Sequence, residues 1–283
     1  MTAIEWTDEA WNPVTGCTKV SPGCAHCYAE TFAERFRGVP GHPFEQGFDL
    51  KLWPERLTKP FTWKKPRKVF VNSMSDLFHE DVPFEFIDRV FAVMALTPQH
   101  TYQLLTKRPE RMREYVQSRA ASSEARVGII LGALMVGAMQ PGNVPWPLPN
   151  VWLGTSTENQ HWLDIRVPEL LATPAAVRFL SCEPLLGPLD LRLTSETHRC
   201  ECGEIRMHCG CPGIAWVIVG GESGPKARPF DLAWARSIVS QCRAAGVACF
   251  YKQGGRSNRC PHSSKGSCFD CLPDDLKVRE MPQ

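Results

Sequence analysis

The sequence lacks a large net charge of either sign. Its 32 basic and 30 acidic residues leave a formal charge of +2 over 283 residues. Bulk charge therefore names no partner, although a local basic stripe on a neutral chain still suits nucleic acid. Long apolar runs are missing too. The longest, "VGIILGALMVGAM" (127–139), falls short of the roughly 20 residues a spanning helix needs. It reads as a buried helix or interfacial segment, and no membrane association is expected. The N-terminal "MTAIEWTDEAWNP" is acidic and has no apolar signal core, so a cytoplasmic protein is expected. No internal repeat is visible. One further lack concerns metal chemistry. Cys17, Cys24 and Cys27 form a C-x6-C-x2-C group with no fourth cysteine beside it.

Cysteine itself is plentiful, at thirteen residues. In a reducing compartment a disulfide framework is not expected, and the clustering points to metal. Three cysteines lie at 17–27, four at 200–211 and three at 260–271. Cys182, Cys242 and Cys249 stand apart in apolar surroundings and read as small buried residues.

Six β-rich runs start apolar and end polar or in glycine: 68–76, 102–108, 151–159, 177–185, 216–224 and 248–255. Helical periodicity fills 83–98, 108–125, 159–173 (despite Pro168) and 231–246. Alternating strands and helices predict an α/β fold, a full or partial barrel. Chemistry in such folds sits at the strand C-terminal ends. These carry Asn72, Ser73, Ser75, Asp76, Thr106, Lys107, Ser156, Glu158, Glu183, Glu222, Lys252 and Gln253. Asp76, Glu158, Glu183 and Glu222 rank first, because a carboxylate there needs a partner to be buried. Lys107 and Lys252 are candidate partners. The alternative is that such residues merely cap helices or turn the chain.

The pattern breaks twice, at a proline-rich loop (139–150) and at a cysteine-rich insertion (194–213). The expected organisation is a barrel domain over 1–255 holding that insertion, followed by a cysteine-rich tail over 256–283. In the insertion, Cys200, Cys202, Cys209 and Cys211 make C-x-C-x6-C-x-C. In the tail, Cys260, His262, Cys268 and Cys271 make C-x-H-x5-C-x2-C. Four soft ligands so close in sequence suit zinc, with an auxiliary iron–sulfur cluster or plain surface cysteines as alternatives. For the first group two readings stand. Three close thiolates can hold three irons of a [4Fe–4S] cluster and leave the fourth iron open, or a zinc site is completed by His26, His42 or a distant cysteine. "TKPFTWKKPRK" (58–68) interleaves five basic residues with Phe61 and Trp63. It suits phosphates and stacked bases, or is a solvated lead-in to a strand. Trp6, Trp11 and Trp53 are candidates for an opening or for the core.

The stretch "WNPVTGCTKVSPGCAHCYAE" resembles the signature of a phage-associated, uncharacterised three-cysteine family related to the radical S-adenosylmethionine (SAM) superfamily. Spore photoproduct lyase-like DNA repair enzymes are among its relatives. The resemblance continues in order through "KVFVNSMSDLFHEDVP", "YQLLTKRPERM", "NVWLGTSTEN", "RFLSCEPLLGPL", "WVIVGGESGPKARPF" and "FYKQGG". It implies a partial α/β barrel with a [4Fe–4S] cluster on Cys17, Cys24 and Cys27. SAM would sit on the open iron among Ser73, Ser75, Asp76, Thr106, Ser156, Glu158, Glu183, Glu222 and Lys252. It also implies hydrogen abstraction from a substrate, for which nucleic acid or a nucleotide is the leaning, and a reductant protein such as ferredoxin or flavodoxin. The first cysteine gap is three residues longer than the superfamily's usual C-x3-C-x2-C. "NSMSD" stands where its "GGE" belongs, while Gly220–Glu222 lies on a later strand. A zinc-bearing nucleic-acid-binding or adaptor protein, and an iron–sulfur protein without SAM chemistry, remain the alternatives.

Overall fold

The computed structural model describes residues 4–121, 145–193, 213–224 and 226–282. The apolar run 127–139 and Cys200, Cys202, Cys209 and Cys211 of the insertion lie outside them. In chain order the elements are β1 (Glu9–Trp11), β2 (Val14–Thr15), α1 (Tyr28–Ala33), β3 (Lys51–Leu52), β4 (Lys68–Val71), α2 (Phe84–Leu96), β5 (Thr101–Thr106), α3 (Pro109–Ala120) and β6 (Val151–Ser156). Then come α4 (Gln160–Leu171), β7 (Val177–Cys182), β8 (Ile214–Gly220), α5 (Leu232–Ala245) and β9 (Ala248–Gln253). Seven strands form a sheet in the order β1-β4-β5-β6-β7-β8-β9. The pairs β1–β4, β4–β5, β7–β8 and β8–β9 are parallel. This is the α/β class the sequence predicts, with the strand sequence of a partial (β/α) barrel.

The chain forms two compact units. The first takes Met1–Val20, Cys27–Gly154 and Thr173–Ala176; the second takes Ser21–His26, Thr155–Ala172 and Val177–Gln283. In the first, α2 buries Phe86, Ile87, Val90, Phe91 and Met94. Tyr115 of α3 lies against Phe91, ring centroids 5.0 Å apart. In the second, β8 contributes fully buried Trp216, Val217, Ile218 and Val219. Helix α4 starts where the Asn159 side chain accepts from the Trp162 N–H. Helix α5 starts on Asp231 and stops at Gly246, whose φ of 64° is the left-handed C-cap glycine favours.

Two expectations need correction. The six strands are shorter than their β-rich runs, and the polar tails are loop. At β4 the cause is Asn72, which takes φ 59° and turns the chain out of the ladder; asparagine tolerates that region better than most residues. Second, β1 is a strand where the sequence shows only an acidic segment. Three residues carry too little periodicity to be seen, yet Trp11 is wholly buried and its Nε1 donates to the Arg56 carbonyl. Trp6 is also core. Trp53 instead lies between cations, with Lys51 Nζ and Arg56 Cζ each 3.9 Å from its ring centroid. Cys182, Cys242 and Cys249 are buried, as expected.

Candidate functional site

Cys17, Cys24 and Cys27 are in no disulfide, and each is half-buried. The loop that carries them is fastened within each unit. In the first unit, Gly16 (φ 83°) leaves no room for a side chain, because a Cβ would lie 2.2 Å from the Asp49 carbonyl oxygen. Its N–H donates to the Met74 carbonyl just past β4. Arg108, at the end of β5, reaches the same loop. Its Nη1 donates to Cys17 Sγ (3.5 Å), and its Nη2 donates to Thr18 Oγ1 (2.8 Å) and the Thr18 carbonyl (3.3 Å). A cation is thus set beside the first sulfur.

Asp76 holds that arginine in place. Its carboxylate accepts from Thr106 Oγ1 (2.7 Å), from the Lys107 N–H (3.1 Å) and from Arg108 Nη1 (3.4 Å). His79 completes the group. Burial, then the charge of Arg108, lowers its pKa, so the ring is neutral at neutral pH. Its Nδ1 accepts from the Asp81 N–H. The proton is therefore on Nε2, which donates to Thr18 Oγ1 (2.9 Å). Ser75 Oγ donates to the Val14 carbonyl, and Ser73 Oγ bonds to Asn12. Tyr28, at the start of α1, donates its hydroxyl to the Ser73 carbonyl.

In the second unit the segment Ser21–His26 is held by strand-end carboxylates. Glu158, past β6, accepts from the Gly23 N–H (3.1 Å) and from Arg166 Nη1 of α4 (2.8 Å). Glu222, past β8, pairs with Arg228 at 2.7 Å and with His26 Nδ1 at 2.8 Å. Burial works against the Glu222 charge. The Arg228 hydrogen bonds, with that of His26, outweigh it and hold the carboxyl below its ordinary range. Arg228 Nη1 also donates to the Pro22 carbonyl. Glu183 is paired with Lys252 Nζ (2.7 Å) and also accepts from Gln253 Nε2. Ser156 is buried, and its carbonyl accepts from Arg166.

The four leading carboxylates are therefore all partnered, and the expected Lys252 is one of the partners. The arginine partners Arg108, Arg166 and Arg228 were missed. Each sits inside or just after a recognised block, as in "TKRPERM" and "GPKARPF", and charge adjacency was the available signal. The zinc alternative's His26 is engaged by Glu222, and His42 stacks on Phe36 at 3.8 Å.

The tail carries the clearest group able to hold a metal ion. Donor atoms of Cys260, His262, Cys268 and Cys271 all lie within 4.8 Å of one another. It is the one such group of three or more His, Cys, Asp or Glu donors found among the described residues. In the basic stretch 58–68, Phe61 is exposed, Lys59 lies 5.7 Å from the Trp63 ring, and Trp63 packs edge-on against His100.

Fold and site together define an α/β protein with partnered carboxylates at its strand ends, a fastened three-cysteine loop and a Cys/His group able to hold a metal ion. The chain belongs to a family of proteins of unknown function (DUF5131), whose model matches residues 1–273. No curated protein and no solved structure matches it. Among the described residues, no helix is long and apolar enough to cross a membrane.

Proposed function

We propose that this protein is a radical SAM enzyme whose cluster is held by Cys17, Cys24 and Cys27. The observation that carries the reading is the loop itself. It has three half-buried thiols outside any disulfide, a guanidinium at 3.5 Å from the first of them, and backbone ties to strand ends of a β/α fold. Those features fit an iron–sulfur cluster, whose anionic sulfurs are stabilised by nearby donors and cations and by partial exclusion of water. The resemblance of the surrounding sequence blocks supplies the rest of the argument.

A cluster held by Cys17, Cys24 and Cys27 would supply the electron for reductive cleavage of SAM, drawn from a reductant such as ferredoxin or flavodoxin, and with it the means of hydrogen abstraction from the substrate. The chain's own residues bind and position. Asp76 and Arg108 hold Cys17, while Glu158, Glu222 and Arg228 hold the segment around Cys24. Ser75 and Thr106 are committed to internal bonds. Of the four strand-end carboxylates, Glu183 keeps the most accessible surface, its side chain 21% exposed, and its partner Lys252 is 19% exposed. Glu158 is fully buried and Glu222 is 6% exposed. Glu183 and Lys252 are therefore the pair we assign to the amino and carboxylate groups of SAM. The substrate class we favour is nucleic acid or a nucleotide, on the basic and aromatic stretch 58–68.

The test is anaerobic purification and reconstitution, with iron, sulfide and zinc measured per chain. SAM and dithionite are then added and 5′-deoxyadenosine is sought. Zinc alone, without iron, would sink the proposal and favour a zinc-bearing nucleic-acid-binding or adaptor protein, a reading the tail group supports. Iron without SAM cleavage would favour an iron–sulfur protein that lacks the SAM chemistry.

A further inference from the structure

We propose that Cys260, His262, Cys268 and Cys271 bind a single zinc ion, and that this ion fixes the Gly254–Gly255 turn beside Glu222. Donor spacing argues for one ion rather than a cluster. Zinc–sulfur bonds of about 2.3 Å in a tetrahedron place neighbouring sulfurs about 3.8 Å apart. The four donors here all lie within 4.8 Å of one another. A cubane carries its cysteines on separate corners and spreads them wider. Three cysteines and a histidine are also a closed donor set, with no position left for substrate.

The local backbone is built for it. Cys260 and Ser263 exchange both backbone hydrogen bonds at 3.1 Å, closing a tight turn that presents His262. The Cys271 N–H bonds back to the Cys268 carbonyl, so this C-x2-C pair forms a knuckle. A cavity of about 320 Å³ lined by Cys260, Cys268 and Cys271 gives the ion an entry path.

Beyond the ligands, the loop abuts the strand-end turn backbone to backbone. The Gly254 N–H donates to the Gly266 carbonyl (3.2 Å), and Asn258 Nδ2 donates to the Gly254 carbonyl (3.0 Å). A Cβ on Gly266 would lie 2.3 Å from the Asn258 carbonyl oxygen, and one on Gly255 would lie 2.7 Å from the Glu222 carbonyl oxygen. A contiguous stack thus runs from the metal loop through Gly254 and Gly255 to Glu222. Few apolar residues secure this loop; Leu272 and Leu276 are its buried anchors. Chain entropy opposes so sparse a segment, and a bound ion is what offsets it. The inference does not rest on the radical SAM reading.

The full chain is purified and its metals counted, then compared with Cys268→Ser/Cys271→Ser. The expected result is the loss of one zinc per chain with iron unchanged, and amide exchange across 254–258 faster by about tenfold or more. His262→Cys, which keeps four ligands, retains the zinc and the slow exchange. Should the double variant aggregate, zinc is withdrawn from the intact chain with a chelator and returned, and the same amides are followed. Unchanged zinc in the double variant, or iron and sulfide lost in its place, overturns the assignment. Zinc loss without faster exchange at 254–258 overturns the positioning role.

Discussion

Glu158 sits between the cysteine loop and the helix that follows its own strand. One carboxylate oxygen accepts from the Gly23 N–H at 3.1 Å, and the other accepts from Arg166 Nη1 at 2.8 Å. Gly23 is next to Cys24, so the carboxylate sets where that sulfur's backbone lies. A Cβ on Gly23 would come within 2.9 Å of Glu158 Cδ. The carboxylate cannot swing away, because it is fully buried on its arginine.

Gly23→Ala is therefore expected to displace the loop rather than the glutamate. Overpacking of this kind costs about 1–3 kcal/mol. The variant should melt lower and retain less iron after reconstitution. Gly187, where an added Cβ meets nothing within 4 Å, is the control, and Gly187→Ala should change neither. Equal iron retention in the two variants would show that Glu158 does not set the loop.

The ion pairs should rank by burial. Arg166→Ala leaves Glu158 charged and enclosed, which costs about 3–5 kcal/mol. Arg166→Lys should recover little, since the guanidinium also donates to the Ser156 carbonyl and lies over the Trp162 ring at 4.2 Å. Lys252→Ala breaks a partly exposed pair and should cost about 1 kcal/mol or less. Urea unfolding of the three variants gives the order, and a Lys252→Ala loss as large as that of Arg166→Ala would contradict it.

The alternation of strands and helices was legible because each strand is a short apolar run closed by polar residues, and the helices keep a 3.6 period even through Pro168. The strand ends were not, because local chemistry sets them: Asn72 stops β4 through its own backbone conformation. Asp76, Glu158, Glu183 and Glu222 were legible as costly carboxylates, and Lys252 as a partner. Which arginine each carboxylate takes was not legible. Arg166 is eight residues from Glu158 on a following helix, and His26 is 196 residues from Glu222. Only the folded chain brings such pairs together. The tail's candidate metal group was readable because all four donors fall in one stretch of twelve residues, Cys260 to Cys271.

Glu222 predicts an acid response. Its folded carboxyl is held below its unfolded value. The stability it contributes is therefore present above the unfolded value, about 4.3, and is lost as pH falls through the folded one. Arg228→Ala removes the main stabiliser of the charge, so its acid unfolding midpoint, followed by circular dichroism, should lie at higher pH than that of the wild type. Coincident acid transitions would mean that Glu222 does not report folding.

Thiol reactivity separates the structural cysteines from the ligand candidates. Burial pushes the Cys182 thiol up to about 12, against a partial opposing effect from the Thr157 hydrogen bond. Cys242 is raised as well, first by its hydrogen bond to Cys249 and then by burial. Both sulfurs are also buried, and enclosure keeps the reagent out, so both should resist iodoacetamide in the native, metal-stripped protein near pH 8 and react only in denaturant. Cys17, Cys24, Cys27, Cys260, Cys268 and Cys271 are at least partly exposed, and should be labelled in the native state. Restoring zinc should then protect Cys260, Cys268 and Cys271 alone among these six, while reconstitution with iron and sulfide should protect Cys17, Cys24 and Cys27. Peptide mass spectrometry reads each site separately. If zinc protects the loop cysteines and iron with sulfide leaves them reactive, the loop is a zinc site and the radical SAM reading fails with it.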